Sequence, residues 1–380
     1  MRIPSWPQSD EREAELLRMV LESPQWGGFH PFVAEFEQSF AAYQHAAHGI
    51  SAFNGTVALE LALTVLGIGP GEEVIIPAIS FISTATAVSR VGAVPVFVDI
   101  EPRSFNIDPD RVTEAISPHT KAVMAVHFGG AMSDIDALGA ICREHGLILL
   151  EDAAHAQGSE WNGKRAGSFG LAGSFSFQNG KVLCAGEGGM LVSSDDAFAE
   201  KARSIANCGR IAGRSFYEHH RLGTNFRLTA FQAAVLLAQF ERLPEQIQLR
   251  TANARRLKEL VADIAEIEWQ EQRPGITQNS WYLLPGRVSG GRGARDEFQR
   301  RLAAAGVPCT PFYPHTLYRN PLYSSASCRV MPCPAAEASV LEAFWLPHRV
   351  LLADEESIAE VAEAIRRAVP CPAASSSVRR

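Results

Sequence analysis

Lys181 closes the segment SFSFQNGK (174–181) and is followed by the glycine-rich GEGGMLV (186–192). Upstream, the apolar run Leu147 to Leu150 ends in Glu151-Asp152, with His155 three residues beyond Asp152. An acid at the end of a buried strand and an amine in a glycine-lined loop suit a group with a basic ring nitrogen at one end and an aldehyde at the other. Pyridoxal phosphate is such a group: the lysine condenses with the aldehyde and the acid keeps the ring nitrogen protonated, so that the ring can take up electrons.

Each residue also has an ordinary reading. A lone lysine is most often a surface residue, but the apolar strands on either side of Lys181 predict burial and a lowered pKa suited to imine chemistry. Asp152 at a strand end would need a partner to offset the burial of its charge, and a ring nitrogen supplies one. His155 could reach the ring or its 3-oxygen, or be a loop histidine. Phe81 could lie flat on the ring, or be core. Asn54-Gly55-Thr56 opens a helix whose first amides and threonine hydroxyl suit an anion such as phosphate, or form a plain cap. Ser176 could add a hydroxyl there.

These residues need a scaffold. Val74 to Pro77, Val94 to Val98, Val123 to Val126 and Leu147 to Leu150 read as buried parallel strands. Helices are predicted between them over 80–91, over 108–116 (Asp108 as cap, Pro109 at the first position), and over 133–145 (Ser133 as cap, Gly146 as stop). Strand and helix in alternation predict an α/β sheet covered on both faces. Its ligand would bind at the strands' carboxyl ends, near Phe81, His127 and Asp152. Earlier, 10–22 reads as a helix, and Phe32, Phe36 and Phe40 form an aromatic stripe on another.

Later the pattern changes. A helix over 197–205 and a polar stretch over 206–224 precede a helix from about 229, which Pro244 is expected to end. A second helix follows over 245–262. Short strands near 266–269 and 281–288, helices over 295–305 and 355–368, and a loop over 308–323 then predict a smaller α+β unit. The expected division is a large domain over 1–243, a small one over 244–370, and a disordered tail over 371–380.

The 380 residues carry a formal charge of −7 and no basic run, which gives no reason to expect nucleic acid. Seven scattered cysteines fit reduced thiols, and none forms a metal-binding pattern. The amino terminus lacks a signal-like apolar run, and no stretch has the length of a membrane span, so a cytoplasmic enzyme is expected. Gly158 to Arg165 nearly spells a phosphate-binding P-loop, but Arg165 stands where a hydroxyl must reach magnesium. The absence of Gly-x-Gly-x-x-Gly after the first strand argues against a dinucleotide dehydrogenase.

Together, NGTVALELAL (54–63), GIGPGEEVIIPAISFISTATAV (67–88), GAVPVFVDI (92–100), EDAAHAQG (151–158), SFSFQNGK and GEGGMLV resemble the DegT/StrS-type sugar aminotransferases. These are pyridoxal phosphate enzymes of fold type I, the aspartate aminotransferase-like fold. The resemblance runs from Phe32 to the Trp345–Val350 segment. It implies that Lys181 forms the Schiff base and moves protons, Asp152 pairs with the ring nitrogen, His155 contacts the ring oxygen and Phe81 stacks. Gly55, Thr56 and Ser176 would hold the phosphate. Asn225, in an Asn-x-Arg motif, would reach the cofactor of a second copy, which implies a homodimer with shared sites.

The implied reaction moves an amino group from L-glutamine or L-glutamate to a keto-cyclitol or ketosugar. SFSFQNGK and EDAAHAQG look most like 3-amino-5-hydroxybenzoate synthase, whereas the 307–323 segment looks like glutamine-dependent aminocyclitol aminotransferases. A histidine at 155, where many members have glutamine, and the Gln178-Asn179-Gly180 triplet depart from the common pattern. Phe29, His30, Tyr313, His315 and His348 are the candidates for substrate contact, by position. The rivals are a synthase that aromatises an aminodehydroshikimate and a non-catalytic cofactor-binding regulator.

Overall fold

A computed structural model describes residues 1–369. Eight strands form one sheet in the order His48–Ala52, Gly189–Ser193, Ala172–Ser176, Ile148–Asp152, Thr120–Val126, Glu73–Pro77, Val94–Val98 and Arg329–Val330. Gly189–Ser193 runs against both its neighbours, and every pairing from Ala172–Ser176 onward is parallel. The α/β architecture with a mostly parallel sheet is therefore as expected.

Side chains alternate between the two faces of a strand, and each face here has its own core. Ile75, Val96, Val98, Val123, Ala125 and Val192 share one core with Val112 and Ala115 of the Pro109–Ala115 helix, Ile135 and Leu138 of the Ile135–His145 helix, and the aromatic stripe Phe32, Phe36 and Phe40 of the Pro31–Tyr43 helix. Their neighbours Val74, Ile76, Phe97, Met124 and Leu191 pack against the Gly55–Leu66, Ser83–Arg90 and Asp196–Ala206 helices. Burial on both sides explains why the strands read as continuous apolar runs.

The helix ends follow local chemistry, with one correction. The Asn54 carboxamide oxygen accepts from the Val57 amide at 2.9 Å, and Gly67, at φ +73°, ends that helix. Asp108 caps Pro109–Ala115, and Gly146 ends Ile135–His145. The cap of Ile135–His145 is Asp134 rather than Ser133. The Asp134 carboxylate accepts from the Ala137 amide at 3.1 Å, while the Ser133 hydroxyl is spent on the Val126 carbonyl at 2.8 Å.

Pro244 does not end a helix. Ala230–Leu260 runs unbroken through it, although a proline inside a helix costs roughly 3 kcal/mol through a lost donor and a steric clash. Leu243 and Ile247 are buried on either side of it. The helix packs along its length on Glu11–Glu22, Pro31–Tyr43 and Glu355–Ala368, and that burial outweighs the local cost. The 243/244 position thus falls inside one continuous rod.

Beyond that rod, Ile267–Trp269, Leu283–Val288, Ala343–Pro347 and Thr310–Pro311 form an antiparallel sheet in that order. Phe298, Leu302, Phe344, Leu346, Ile358, Val361 and Ile365 pack with Ala254 and Leu257 of the long helix in a third core. The P-loop look-alike is a hairpin, Glu160–Trp161 against Lys164–Arg165. Asn162 and Gly163, at φ +50° and +77°, supply the two left-handed residues of a two-residue turn. The six cysteines among the described residues are free. No helix among those residues is long and apolar enough to cross a membrane, and no group of candidate metal ligands occurs among them. The expected tail, 371–380, lies outside the described residues.

Candidate active site

A cavity of about 570 Å³ opens at the carboxyl ends of the parallel strands, lined among others by Thr56, Asp152, His155, Lys181, Tyr282 and Tyr313. Asp152 and Ser176 are the last residues of their strands, and Phe81 follows the Glu73–Pro77 strand. The scaffold alone thus brings together residues far apart in the chain.

Lys181 follows a tight turn in which its own amide donates to the Gln178 carbonyl at 2.8 Å. The residue is only 9% exposed. Burial holds its amine down at about 8, and the Asp152 charge opposes that shift. The Nζ lies 4.3 Å from the centre of the Tyr282 ring.

The Asp152 carboxylate accepts from the Thr84 hydroxyl at 2.7 Å and from the Ala154 amide at 3.3 Å. Burial raises its pKa, and Thr84, Ala154 and Lys181 counter only part of the rise. It is therefore a buried acid that gains from a further cationic donor. Glu151, next to it, faces the other way. There burial pushes the carboxyl up, but His127 at 2.9 Å and the amides of Gly170 and Gly167 bring it below its ordinary value, and the Phe169 amide also donates to it at 2.8 Å. His127 is thus a structural partner of Glu151.

His155 accepts from the Gly129 amide at Nδ1, 3.3 Å away. Burial, with the Lys181 charge, keeps its pKa well below the ordinary histidine value. The ring is therefore neutral, and its proton resides on Nε2, which suits donation to an oxygen. The Tyr282 ring lies 4.4 Å from it, centre to centre.

At the other end, the Gly55–Leu66 helix directs its amino terminus into the cavity. Asn54 takes the Val57 amide, and among the described residues nothing accepts from the Gly55 and Thr56 amides. The Thr56 and Ser83 hydroxyls sit 2.6 Å apart. A Cβ at Gly55 would come within 2.7 Å of the Ser176 Cβ, so only glycine lets this helix end approach the strand end. Open amides, a helix dipole and hydroxyls form a phosphate site.

The cavity therefore gathers Gly55, Thr56, Phe81, Asp152, His155, Ser176, Lys181 and Tyr313. Phe81 remains 58% exposed, at the edge rather than in the core. Other candidates lie elsewhere. Phe29 and His30 line a separate cavity of about 600 Å³, where His30 caps the Pro31–Tyr43 helix by accepting from the Phe32 amide at 3.1 Å. His315 is held by Asn320 at 2.9 Å. His348 is buried behind Tyr282, with Nε2 3.2 Å from the Gly180 carbonyl. Asn225 is outside this cavity, and its side chain accepts from the Arg227 amide at 3.2 Å.

Tyr282, Thr84 and Ser83 were not singled out from sequence. Thr84 and Ser83 lie within a quoted motif, but only the fold shows that one meets Asp152 and the other Thr56. Tyr282 sits in a stretch that reads simply as a strand.

The chain matches the DegT/DnrJ/EryC1/StrS aminotransferase family over residues 7–366, and it belongs to that family. It is similar to 3-amino-5-hydroxybenzoate synthase of Amycolatopsis mediterranei, with 41% identity covering 96% of this chain and 97% of that one. It is also similar to a pleiotropic regulatory protein of Geobacillus stearothermophilus, at 37% identity over 94% and 96% of the two chains. L-glutamine:2-deoxy-scyllo-inosose aminotransferase of Streptoalloteichus tenebrarius is 36% identical over 96% and 94%. A crystal structure of 3-amino-5-hydroxybenzoic acid synthase superposes with a TM-score of 0.93 at 40% identity, covering 97% of this chain and 98% of that one.

The protein is a pyridoxal phosphate-dependent aminotransferase of this family. Its residues fit the cofactor: an under-compensated buried acid, unpartnered helix amides facing two hydroxyls, and a buried amine with a lowered pKa.

Proposed function

We propose that the enzyme transfers an amino group from L-glutamine or L-glutamate to the keto group of a cyclitol or sugar ring. The observation that carries this reading is the lining of the cavity: Phe81, Tyr282, Tyr313 and Trp345 contribute aromatic side chains, and among the described residues Lys181 is the one lysine or arginine that lines it. Aromatic faces suit the C–H faces of a polyol ring, whereas a diphosphate calls for cations.

When bound, the cofactor supplies an electron sink for the carbon that loses and regains a proton. Asp152 would keep the ring nitrogen protonated through a charge-assisted hydrogen bond. His155 Nε2–H would donate to the ring oxygen. The Gly55 and Thr56 amides would fix the phosphate and so the ring's position. Lys181, neutral above about 8 and buried, would take the α-proton from the donor and return one to the acceptor carbon. The aromatic side chains would limit the access of water to the reacting carbon.

A second reading is supported by the similarity to 3-amino-5-hydroxybenzoate synthase: water elimination that aromatises an aminodehydroshikimate. The two separate in one assay. Purified enzyme given glutamine and scyllo-inosose or a ketosugar should yield an amine by mass spectrometry. Given aminodehydroshikimate, it should yield no new aromatic absorbance. The reverse pattern would replace the first reading with the second.

The assembly we infer is a homodimer. Phe216, Tyr217 and Leu222 are 55%, 85% and 96% exposed in the segment leading to Asn225, and apolar side chains so exposed and so grouped favour a covered surface. Covered by a second copy, this segment could bring Asn225 to the neighbouring site. Light scattering at twice the chain mass supports this, and the mass of one chain opposes it.

A further inference from the structure

Two successive backbone carbonyls, those of Gly180 and Lys181, are each held by a ring nitrogen from a distant part of the chain. The His348 Nε2 lies 3.2 Å from the Gly180 oxygen. The Trp6 indole nitrogen donates to the Lys181 oxygen at 3.1 Å. A carbonyl can only accept and an indole N–H can only donate, so the His348 proton must sit on Nε2. Burial keeps the His348 pKa well below the ordinary value, and the ring therefore carries just that one proton.

The two rings also support each other and the amine. Trp6 meets His348 edge-on at 4.5 Å, and His348 stacks on Tyr282 at 6.1 Å with 28° between planes. Tyr282 in turn lies under the Lys181 Nζ. The lysine is thus gripped at its backbone and at its amine by one connected group of rings.

Trp6 belongs to an amino-terminal arm that is tied down at several points. The Arg2 amide donates to the Ser357 hydroxyl at 2.7 Å, Arg349 donates to the Pro4 carbonyl at 3.2 Å, and Gln239 donates to the Gln8 carbonyl at 2.5 Å. The Met1 amine pairs with Glu360. The arm therefore bridges the carboxyl-terminal helix, the long central helix and the lysine turn.

We propose that Trp6 and His348 are positioning residues for the reacting amine, and that the amino-terminal arm is a working part of the active site. Neither residue lines the cavity. Their N–H groups act through the turn, fixing the direction from which Lys181 meets the reacting carbon. This rests on the assignment of Lys181 as the reacting lysine.

The test uses Trp6→Phe, which keeps a ring against His348 but loses the donor, and the pair His348→Gln and His348→Leu, of which the first keeps an N–H. In the holoenzyme, Trp6→Phe and His348→Leu should lower kcat about 10- to 100-fold, the scale expected of a slight misplacement. KM for the amino donor should stay within about twofold, since uniform binding is not touched. His348→Gln should recover most of the loss.

A second readout is the pH midpoint for acetic anhydride labelling of Lys181 in the full chain freed of cofactor. Asp152, His155, Glu187, Tyr282 and Tyr313 line the same cavity as that amine, and Arg250 bears electrostatically on His348. All remain in Trp6→Phe. A loosened turn admits water, so the midpoint should rise toward that of an ordinary lysine. Unchanged kcat and midpoint in both Trp6→Phe and His348→Leu would overturn the proposal, as would a fall in melting temperature alone. Borohydride labelling of the wild-type holoenzyme serves as control. If it misses Lys181, the assignment beneath the proposal fails, whereas labelled wild type with silent variants rejects the proposal alone.

Discussion

Lys181 and Tyr282 meet through space with the amine 4.3 Å from the ring centre, and the same ring rests 4.4 Å from His155. The negative face of the phenol ring favours an ammonium, by about 0.5–2 kcal/mol for such pairs. Burial disfavours it more strongly, and the outcome is an amine held at about 8. Burial also raises the Tyr282 phenol to about 12, so Tyr282 is a neutral wall.

That wall should depend on the ring and not on the hydroxyl. Tyr282→Phe is expected to keep kcat/KM within about threefold, whereas Tyr282→Leu should lose roughly tenfold or more, equivalent to about 1.4 kcal/mol. Steady-state kinetics with a fixed acceptor decide this. Equal losses in the two variants would assign the role to the hydroxyl.

Asp152→Asn should fold, because it removes a buried charge whose pKa is already raised. It cannot hold a ring nitrogen in the charged form, so kcat should fall by roughly 10²–10³-fold, the scale of losing one preorganised electrostatic contact. Cofactor content measured by absorbance should remain near stoichiometric. Near-normal turnover would contradict the role.

The lowered amine pKa has a stability signature in the cofactor-free chain. With about 8 in the folded state and the ordinary 10.5 in the unfolded one, the unfolded state binds more protons between these values. Stability should therefore rise with pH across that window, and the destabilisation is full below pH 8. Lys181→Met lacks it, so the melting-temperature advantage of Lys181→Met over wild type should be largest near pH 7 and should shrink toward pH 10. A difference constant with pH would contradict a buried, depressed amine.

Glu151 provides a contrast, since it holds the fold rather than the chemistry. Glu151→Ala strands His127 and three amides, and breaking a buried pair costs about 3–5 kcal/mol. The urea midpoint should fall markedly. Reloaded folded protein should keep its KM for the donor, and a midpoint equal to wild type would show that the network contributes little.

Much of this was legible from residue order because local chemistry decided it. Asn54 caps, Asp108-Pro109 starts a helix, and β-branched runs such as Val94–Val98 bury on both sides; each follows from a few neighbouring residues. Pro244 misleads because the burial that carries the helix through it comes from segments distant in sequence. Asp152 and Lys181 were readable because a charge at the edge of an apolar run is conspicuous. Thr84 and Tyr282 carry no such mark, and their roles exist only where the sheet order brings strand ends together. His348 was picked out by position, but for substrate contact, and Trp6 was not picked out at all: their partners are carbonyls, which every residue has.

The most direct test of the account is borohydride reduction of the holoenzyme followed by peptide mapping. The account predicts one phosphopyridoxyl group per chain, on the peptide that contains Lys181, and its loss when glutamine is added before the borohydride. A label on another lysine, or none, would contradict it.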